Sequence, residues 1–78
     1  MRVVNEIVKP NCKITVFSWN GKYLIKFEQG DLEQTFKIDA LDLTSEDEIY
    51  EIISDEFINE VVASFGQMRN LFYKYRSL

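Results

Sequence analysis

One stretch decides the fold, residues 12–39, which reads CKITVFSWNGKYLIKFEQGDLEQTFKID. Apolar and polar residues alternate along it with a period of two, a pattern typical of half-buried β-strands. The alternation is interrupted at Asn20-Gly21 and at Gly30-Asp31, and both dipeptides favour two-residue hairpin turns. The stretch therefore predicts a three-stranded antiparallel meander with the middle strand in the centre.

The two turns also predict which residues lie opposite each other. A two-residue turn at Asn20-Gly21 places Val16 opposite Ile25, and one at Gly30-Asp31 places Ile25 opposite Phe36. Both registers bring apolar residues together on one face, and a slip of one residue would turn every side chain over. We predict that the core face of the sheet consists of Cys12, Ile14, Val16, Tyr23, Ile25, Phe27, Phe36 and Ile38.

The opposite face of the predicted sheet carries large apolar residues among lysines. Phe17 falls opposite Leu24, and Trp19 lies diagonal to them. A sheet covered on one side only rarely exposes such a cluster, so we expect a cover: the N-terminal segment, a second subunit or a ligand. The candidate interaction residues are Phe17, Trp19, Leu24, Lys22, Lys26 and Lys37.

The chain after residue 44 predicts two helices. Ser45 to Glu48 has the form of a capping box, and Ser54 is a second capping residue. A seam with alternating three- and four-residue spacing then spans just over two heptads, which favours packing on the sheet over a coiled coil. Gly66 lies inside this seam and is a second place where the helical region could bend. The seam is formed by Ile58, Val61, Phe65, Met68, Phe72 and Tyr75.

Together these elements predict a single α+β domain over residues 12–76, in the order β-β-β-α-α, with one short and one long helix packed on one face of the sheet. Residues 1–11 carry Val3, Val4, Ile7 and Val8, which suit either a helical face or a fourth strand. Pro10 would end either element. We expect a flexible N-terminal segment here.

Composition excludes most enzyme chemistry. The 78 residues include no His and one Cys, which removes His-based catalysis, His metal ligation, Cys–His dyads and intramolecular disulfides. The three glycines are isolated, so no phosphate-binding loop is present. Glu48, Glu51 and Asp55 share one helical face, but carboxylates on a helix without carbonyl ligands hold a cation weakly. We therefore expect no enzyme activity, no cofactor and no metal.

The acidic residues are concentrated in one part of the chain. The net charge is −4, and no Lys or Arg occurs from Ile38 through Met68. We interpret this acidic block as the solvated side of the helices. No apolar run is long enough to span a membrane, the N-terminus lacks a signal-peptide pattern, and a lone Cys suits a reducing compartment, so we expect a cytoplasmic protein without membrane contact.

The open sheet face supports two hypotheses about function. A protein-interaction or self-association module, such as a homodimer, needs only the apolar patch. A weak binder of single-stranded nucleic acid would stack bases on Phe17 and Trp19 while Lys22, Lys26 and Lys37 follow the phosphates. Acidic residues on the same face nearly cancel these lysines, which ranks the interaction module first.

Residues 12–28 and 32–37 also resemble a family of short conserved proteins of unknown function from Bacteroidetes-type bacteria. The resemblance covers roughly residues 12–67 and is most specific in the first hairpin, CKITVFSWNGKYLIKFE. It implies a cytosolic bacterial protein whose relatives start close to Cys12, with residues 1–11 as an addition here. It implies no activity, cofactor or functional residue.

Overall fold

A computed structural model describes residues 1–76. The predicted α+β class is confirmed, but the antiparallel sheet has four strands instead of three, in the order β1-β2-β3-β4. After a short 3₁₀ turn at Ala40–Asp42 the chain forms two helices. The elements are β1 (Arg2–Lys9), β2 (Cys12–Trp19), β3 (Lys22–Gln29), β4 (Leu32–Asp39), α1 (Asp47–Ile52) and α2 (Asp55–Arg76).

The predicted register of both pairings, β2 with β3 and β3 with β4, is confirmed. Val16 lies opposite Ile25 in the β2–β3 hairpin, and Ile25 lies opposite Phe36 in the β3–β4 hairpin. Asn20 and Gly21 have φ of 50° and 72°. Positive φ at both central residues is the pattern of a type I′ turn, whose twist matches that of the flanking strands. The turn chemistry and the hydrophobic pattern therefore specify the same register.

The first strand corrects the sequence prediction. In place of the flexible segment expected over residues 1–11, Arg2–Lys9 forms β1, which pairs antiparallel with β2. Lys9 lies opposite Cys12, so the connection is the two-residue turn Pro10-Asn11. The register shifts between Val3 and Asn5, which is a β-bulge. Because a bulge inserts one extra residue, it breaks the period-two pattern by which strands are recognised in a sequence.

The helix starts are confirmed in one case and shifted in the other. The Ser54 hydroxyl accepts a hydrogen bond of 3.2 Å from the Phe57 amide, so Ser54 caps α2 as predicted. The predicted capping box at Ser45 is wrong: α1 starts at Asp47, with Glu46 at the N-cap and no side-chain capping hydrogen bond. The Glu48 carboxylate instead accepts hydrogen bonds from the amide (3.0 Å) and the hydroxyl of Thr44. These bonds lower the pKa of Glu48.

The core lies between the predicted apolar face of the sheet and both helices. Its fully buried side chains come from the sheet and from each helix, which confirms that the helices share one face. Phe57 joins the start of α2 to β3 and β4 through edge-to-face contacts with Phe27 and Phe36, at ring-centroid distances of 5.5 and 5.2 Å. The cluster comprises Cys12, Ile14, Val16, Ile25, Phe27, Ile49, Ile53, Ile58, Val61 and Phe65.

Helix α2 continues beyond the end of the sheet. An eight-residue strand is about 27 Å long, whereas the longest dimension of the molecule is 46 Å. The first turn of α2 contacts the middle of β3 and β4 through Phe57, and Val61 accepts a hydrogen bond of 3.2 Å from the Gln34 side chain. Leu32, at the start of β4, already lies beside Met68 and Leu71. The end of α2 therefore extends past the turn at Gly30-Asp31, without interruption at Gly66.

Two phenylalanines of α2 provide a test of this arrangement. Phe65 is fully buried and Phe72 is 47% exposed. We expect Phe65→Ala to lower the free energy of unfolding by about 3–5 kcal/mol, the usual cost of removing a buried Phe. Phe72→Ala, the matched control in the same helix, should cost less than about 1 kcal/mol. Urea denaturation at low protein concentration measures both, and equal losses would contradict the partial coverage of α2.

The Thr44–Glu48 contact predicts a pH-dependent contribution to stability. Because the pKa of Glu48 is lowered in the folded state, the contact stabilises the fold above the unfolded-state pKa of about 4.3 and is lost as the pH falls through the folded-state pKa. Thr44→Val should therefore reduce stability at neutral pH, and the difference from the wild type should shrink on acidification. Ser45→Ala is the control, and an equal, pH-dependent loss there would favour the original capping box.

Candidate interaction face

The face of the sheet that points away from the helices is called the open face. The predicted arrangement on it is confirmed: Phe17 lies opposite Leu24, Trp19 lies opposite Lys22, and Leu24 lies opposite Lys37. Strand β1 adds Val3, which lies opposite Phe17. The resulting apolar patch consists of Val3, Phe17, Trp19 and Leu24.

The patch is partly covered by its own neighbours. Leu24 is only 8% exposed although it lies outside the core cluster, because side chains on both adjacent strands surround it. Phe17 is half-buried, whereas Trp19 is 48% and Val3 is 53% exposed. The solvent-accessible part of the patch therefore lies mainly at Trp19 and Val3, on either side of Phe17.

The N-terminal segment does not cover this face. Strand β1 lies beside β2 in the plane of the sheet, and its Val3 extends the patch. The buried residues of the helices pack on the opposite face, against Ile14 and Phe27. The hypothesis that the N-terminal segment, residues 3–8, folds back over the patch and covers it is therefore wrong.

Lys26, in the middle of the open face, is already engaged by neighbouring side chains. Its ammonium group lies 3.7 Å from the carboxylate of Glu28, 3.6 Å from that of Glu33 and 5.5 Å from the ring centroid of Phe17. The methylene groups of such a lysine cover apolar surface while its charge is neutralised. Lys26 therefore contributes more to covering Phe17 than to a free positive surface.

The remaining charges differ between the two ends of the open face. Near the Asn20-Gly21 turn, Lys22 lies opposite Asp39, and Lys37 is the next residue of β4 on the same face. These three side chains have a net charge of +1. At the other end, Lys13 and Lys26 lie among the carboxylates of Glu6, Glu28 and Glu33, and this group leaves one negative charge. The apolar patch is next to the positive end.

Val3 is the patch residue that sequence reasoning missed. Val3 lies on β1, which Pro10-Asn11 connects to β2. Neither Pro10 nor Asn11 has the positive φ found at Asn20, Gly21 and Gly30 in the other turns. The sequence nevertheless contained a signal, because turns at residues 10–11, 20–21 and 30–31 recur every ten residues. Eight-residue strands joined by two-residue turns give this spacing, and it places a strand at residues 2–9.

Cys12 and the carboxylates are the groups on which chemistry beside the patch could depend. Burial raises the pKa of the Cys12 thiol, although Lys9 nearby acts in the opposite direction, so Cys12 stays protonated and is a poor nucleophile. Within residues 1–76 no three acidic or cysteine side chains come together in a way that suits a metal ion. Over the same residues, no helix has the length and apolar character needed to cross a membrane.

Comparisons with protein-family models, with curated proteins and with solved structures give no match to this chain. The resemblance to short bacterial proteins of unknown function therefore stays a prediction.

Proposed function

We propose that this chain is a small, non-enzymatic cytoplasmic protein that self-associates through its open face, with a second copy as the partner. The observation that supports this proposal is the apolar patch of Val3, Phe17, Trp19 and Leu24, in which Trp19 stays 48% and Val3 53% exposed. Burying Trp19 and Val3 against another apolar surface would stabilise a complex, since each fully buried large side chain contributes about 1.5–3 kcal/mol.

A second copy of the same chain suits this patch, because in a two-fold contact both copies present the same residues. Of the lysines beside the patch, Lys22 lies opposite Asp39, and Lys26 contacts Glu28 and Glu33. The apolar side chains, and not charge pairing between the copies, therefore carry the contact.

The same details make single-stranded nucleic acid the weaker alternative. Such a ligand would need free cations beside the aromatic rings. Lys26 already contacts two carboxylates, which leaves Lys22 and Lys37, and the whole chain carries a net charge of −4. An apolar contact between two copies needs none of these lysines to be free.

The single tryptophan reports on the patch directly. We expect Trp19 fluorescence to become less accessible to acrylamide quenching as the protein concentration rises from micromolar to millimolar, because the second copy covers the indole. Val3→Lys should raise the dissociation constant by about tenfold or more, the equivalent of about 1.4 kcal/mol, by placing a charge in the patch.

Val8→Lys is the matched control, because Val8 lies on the same strand and face but outside the patch, and is 79% exposed. It should leave the concentration dependence unchanged. Quenching that does not vary with concentration would refute pairing through the open face. Protection of Trp19 by a single-stranded oligonucleotide at physiological salt, lost on raising the salt, would favour the nucleic-acid alternative instead.

A further inference from the structure

The end of α2 and the start of β4 form an apolar groove that is separate from the open face. It has a volume of about 340 Å³ and is lined by Leu32, Met68, Leu71, Phe72 and Tyr75. Leu71 is 62%, Phe72 is 47% and Tyr75 is 60% exposed. Because its walls are half-exposed, the groove cannot enclose a small molecule, which binding pockets usually bury by roughly 70–90%. Its shape suits a chain segment that lies along the helix.

Basic side chains flank the groove on both sides. At about 100° per residue, the groove residues of α2 form one strip, with Arg69 and Arg76 on one side of it and Lys74 on the other. Within residues 1–76, none of these three bases is ion-paired with a carboxylate. Their positive charges are therefore available to a ligand.

Few negative charges lie near the groove, although the whole chain carries a net charge of −4. Asp31, in the turn before β4, offsets one of the three bases. Glu28 and Glu33 are already paired with Lys26, at 3.7 and 3.6 Å. Glu60 is the last acidic residue of the chain and lies nine residues before the first base, about 14 Å along the helix. This exceeds the Debye length of about 8 Å at physiological ionic strength, so the groove remains locally positive.

Aromatic rings hold two of the bases beside the groove. The Arg76 guanidinium lies 5.9 Å from the ring centroid of Phe72 and 5.5 Å from that of Tyr73. The Lys74 ammonium lies 5.5 Å from the ring centroid of Tyr75. A cation over a ring face keeps N–H groups free to donate to a carboxylate. The groove therefore offers apolar and cationic contacts next to each other.

A second copy of this chain does not provide the complementary surface. The apolar side of its acidic helices, which carries Ile49, Ile53 and Ile58, is buried in the core. A two-fold contact through the groove itself would bring the bases of both copies together. The ligand that fits must be apolar and acidic at once, and it must come from another molecule.

We propose that the groove binds an acidic amphipathic helix of a partner protein. Apolar side chains spaced three and four residues apart on that helix pack against the strip, and flanking Asp or Glu side chains pair with Lys74 and Arg76. Helices packed side by side lie roughly 8–10 Å apart, which permits both contacts. The groove contains no residue of the open face, so this contact is independent of self-association.

An anionic membrane surface fits these observations less well. Recognition of anionic lipid uses clusters of about four to eight basic residues, whereas three flank this groove, and the net charge of the chain is −4. A partner helix lies within the locally positive region, so the acidic residues elsewhere in the chain oppose it less.

Two designed peptides test the proposal. The Glu peptide is about two heptads long, with leucine at a and d and glutamate and alanine elsewhere, and the Lys peptide has lysine in place of each glutamate. Fluorescence anisotropy of the labelled peptides with the full chain measures binding. The Glu peptide should bind about tenfold more tightly than the Lys peptide, and sodium chloride should weaken its binding by screening the ion pairs.

Substitutions locate the contact on the chain. Leu71→Gln should raise the dissociation constant of the Glu peptide about fivefold or more, because it removes an apolar wall of the groove. Asn70→Gln is the matched control, at the neighbouring exposed position outside the groove, and should change nothing. Trp19→Ser, on the open face, should also leave peptide binding intact, whatever it does to self-association.

Charge reversal gives a result that loss of folding cannot imitate. Lys74→Glu combined with Arg76→Glu should reverse the preference, so that the Lys peptide binds more tightly than the Glu peptide. Failure of the Glu peptide to bind at millimolar concentration overturns the proposal, as do equal affinities for the two peptides or equal losses with Leu71→Gln and Asn70→Gln. Loss of binding with Trp19→Ser would place the contact on the open face instead. Binding to phosphatidylglycerol vesicles that depends on Leu71, without peptide binding, would assign the groove to a membrane surface and overturn the partner helix.

Discussion

The pairing of β2 with β3 around Asn20-Gly21 is the constraint on which the rest of the structure depends. Both turn residues adopt positive φ, which asparagine tolerates better than most residues and glycine adopts freely. The turn admits one register, and that register separates Val16 and Ile25 from Phe17 and Leu24. A slip by one residue would place Phe17 in the core and expose Val16. This separation determines on which face the helices pack and which residues form the open face.

The parts of the fold predicted from the sequence are those in which two local signals agree. The inner hairpins combine turn dipeptides with alternating hydrophobicity, and Ser54 combines a capping side chain with a new helical seam. Strand β1 has neither of these signals. Pro10-Asn11 is not a dipeptide that favours positive φ, and the bulge between Val3 and Asn5 interrupts the alternation of apolar and polar residues. The patch was predicted through Phe17, Trp19 and Leu24, whereas Val3 depended on the missing strand.

The extent of α2 shows a different limit of sequence reasoning. Periodicity predicts that Ile58, Phe65 and Phe72 lie on one side of a helix, but it does not show where the surface beneath that side ends. Here the sheet is shared between α1 and α2, so α2 begins halfway along the strands and only part of its seam is covered. The spacing of apolar residues therefore does not determine how much of a helix the sheet covers.

The meander has a consequence for how the sheet opens. Every strand pairs with its neighbour in the chain, so the contacts are local and the sheet is expected to form quickly. The two edge strands are held differently: β4 contacts α2 through Phe36 and Gln34, whereas β1 contributes only the half-buried Val4 and Ile7 to the core. Detachment of β1 is therefore the least costly local unfolding of the sheet. Because β1 carries Val3, each such opening would remove one wall of the apolar patch and leave Phe17 exposed.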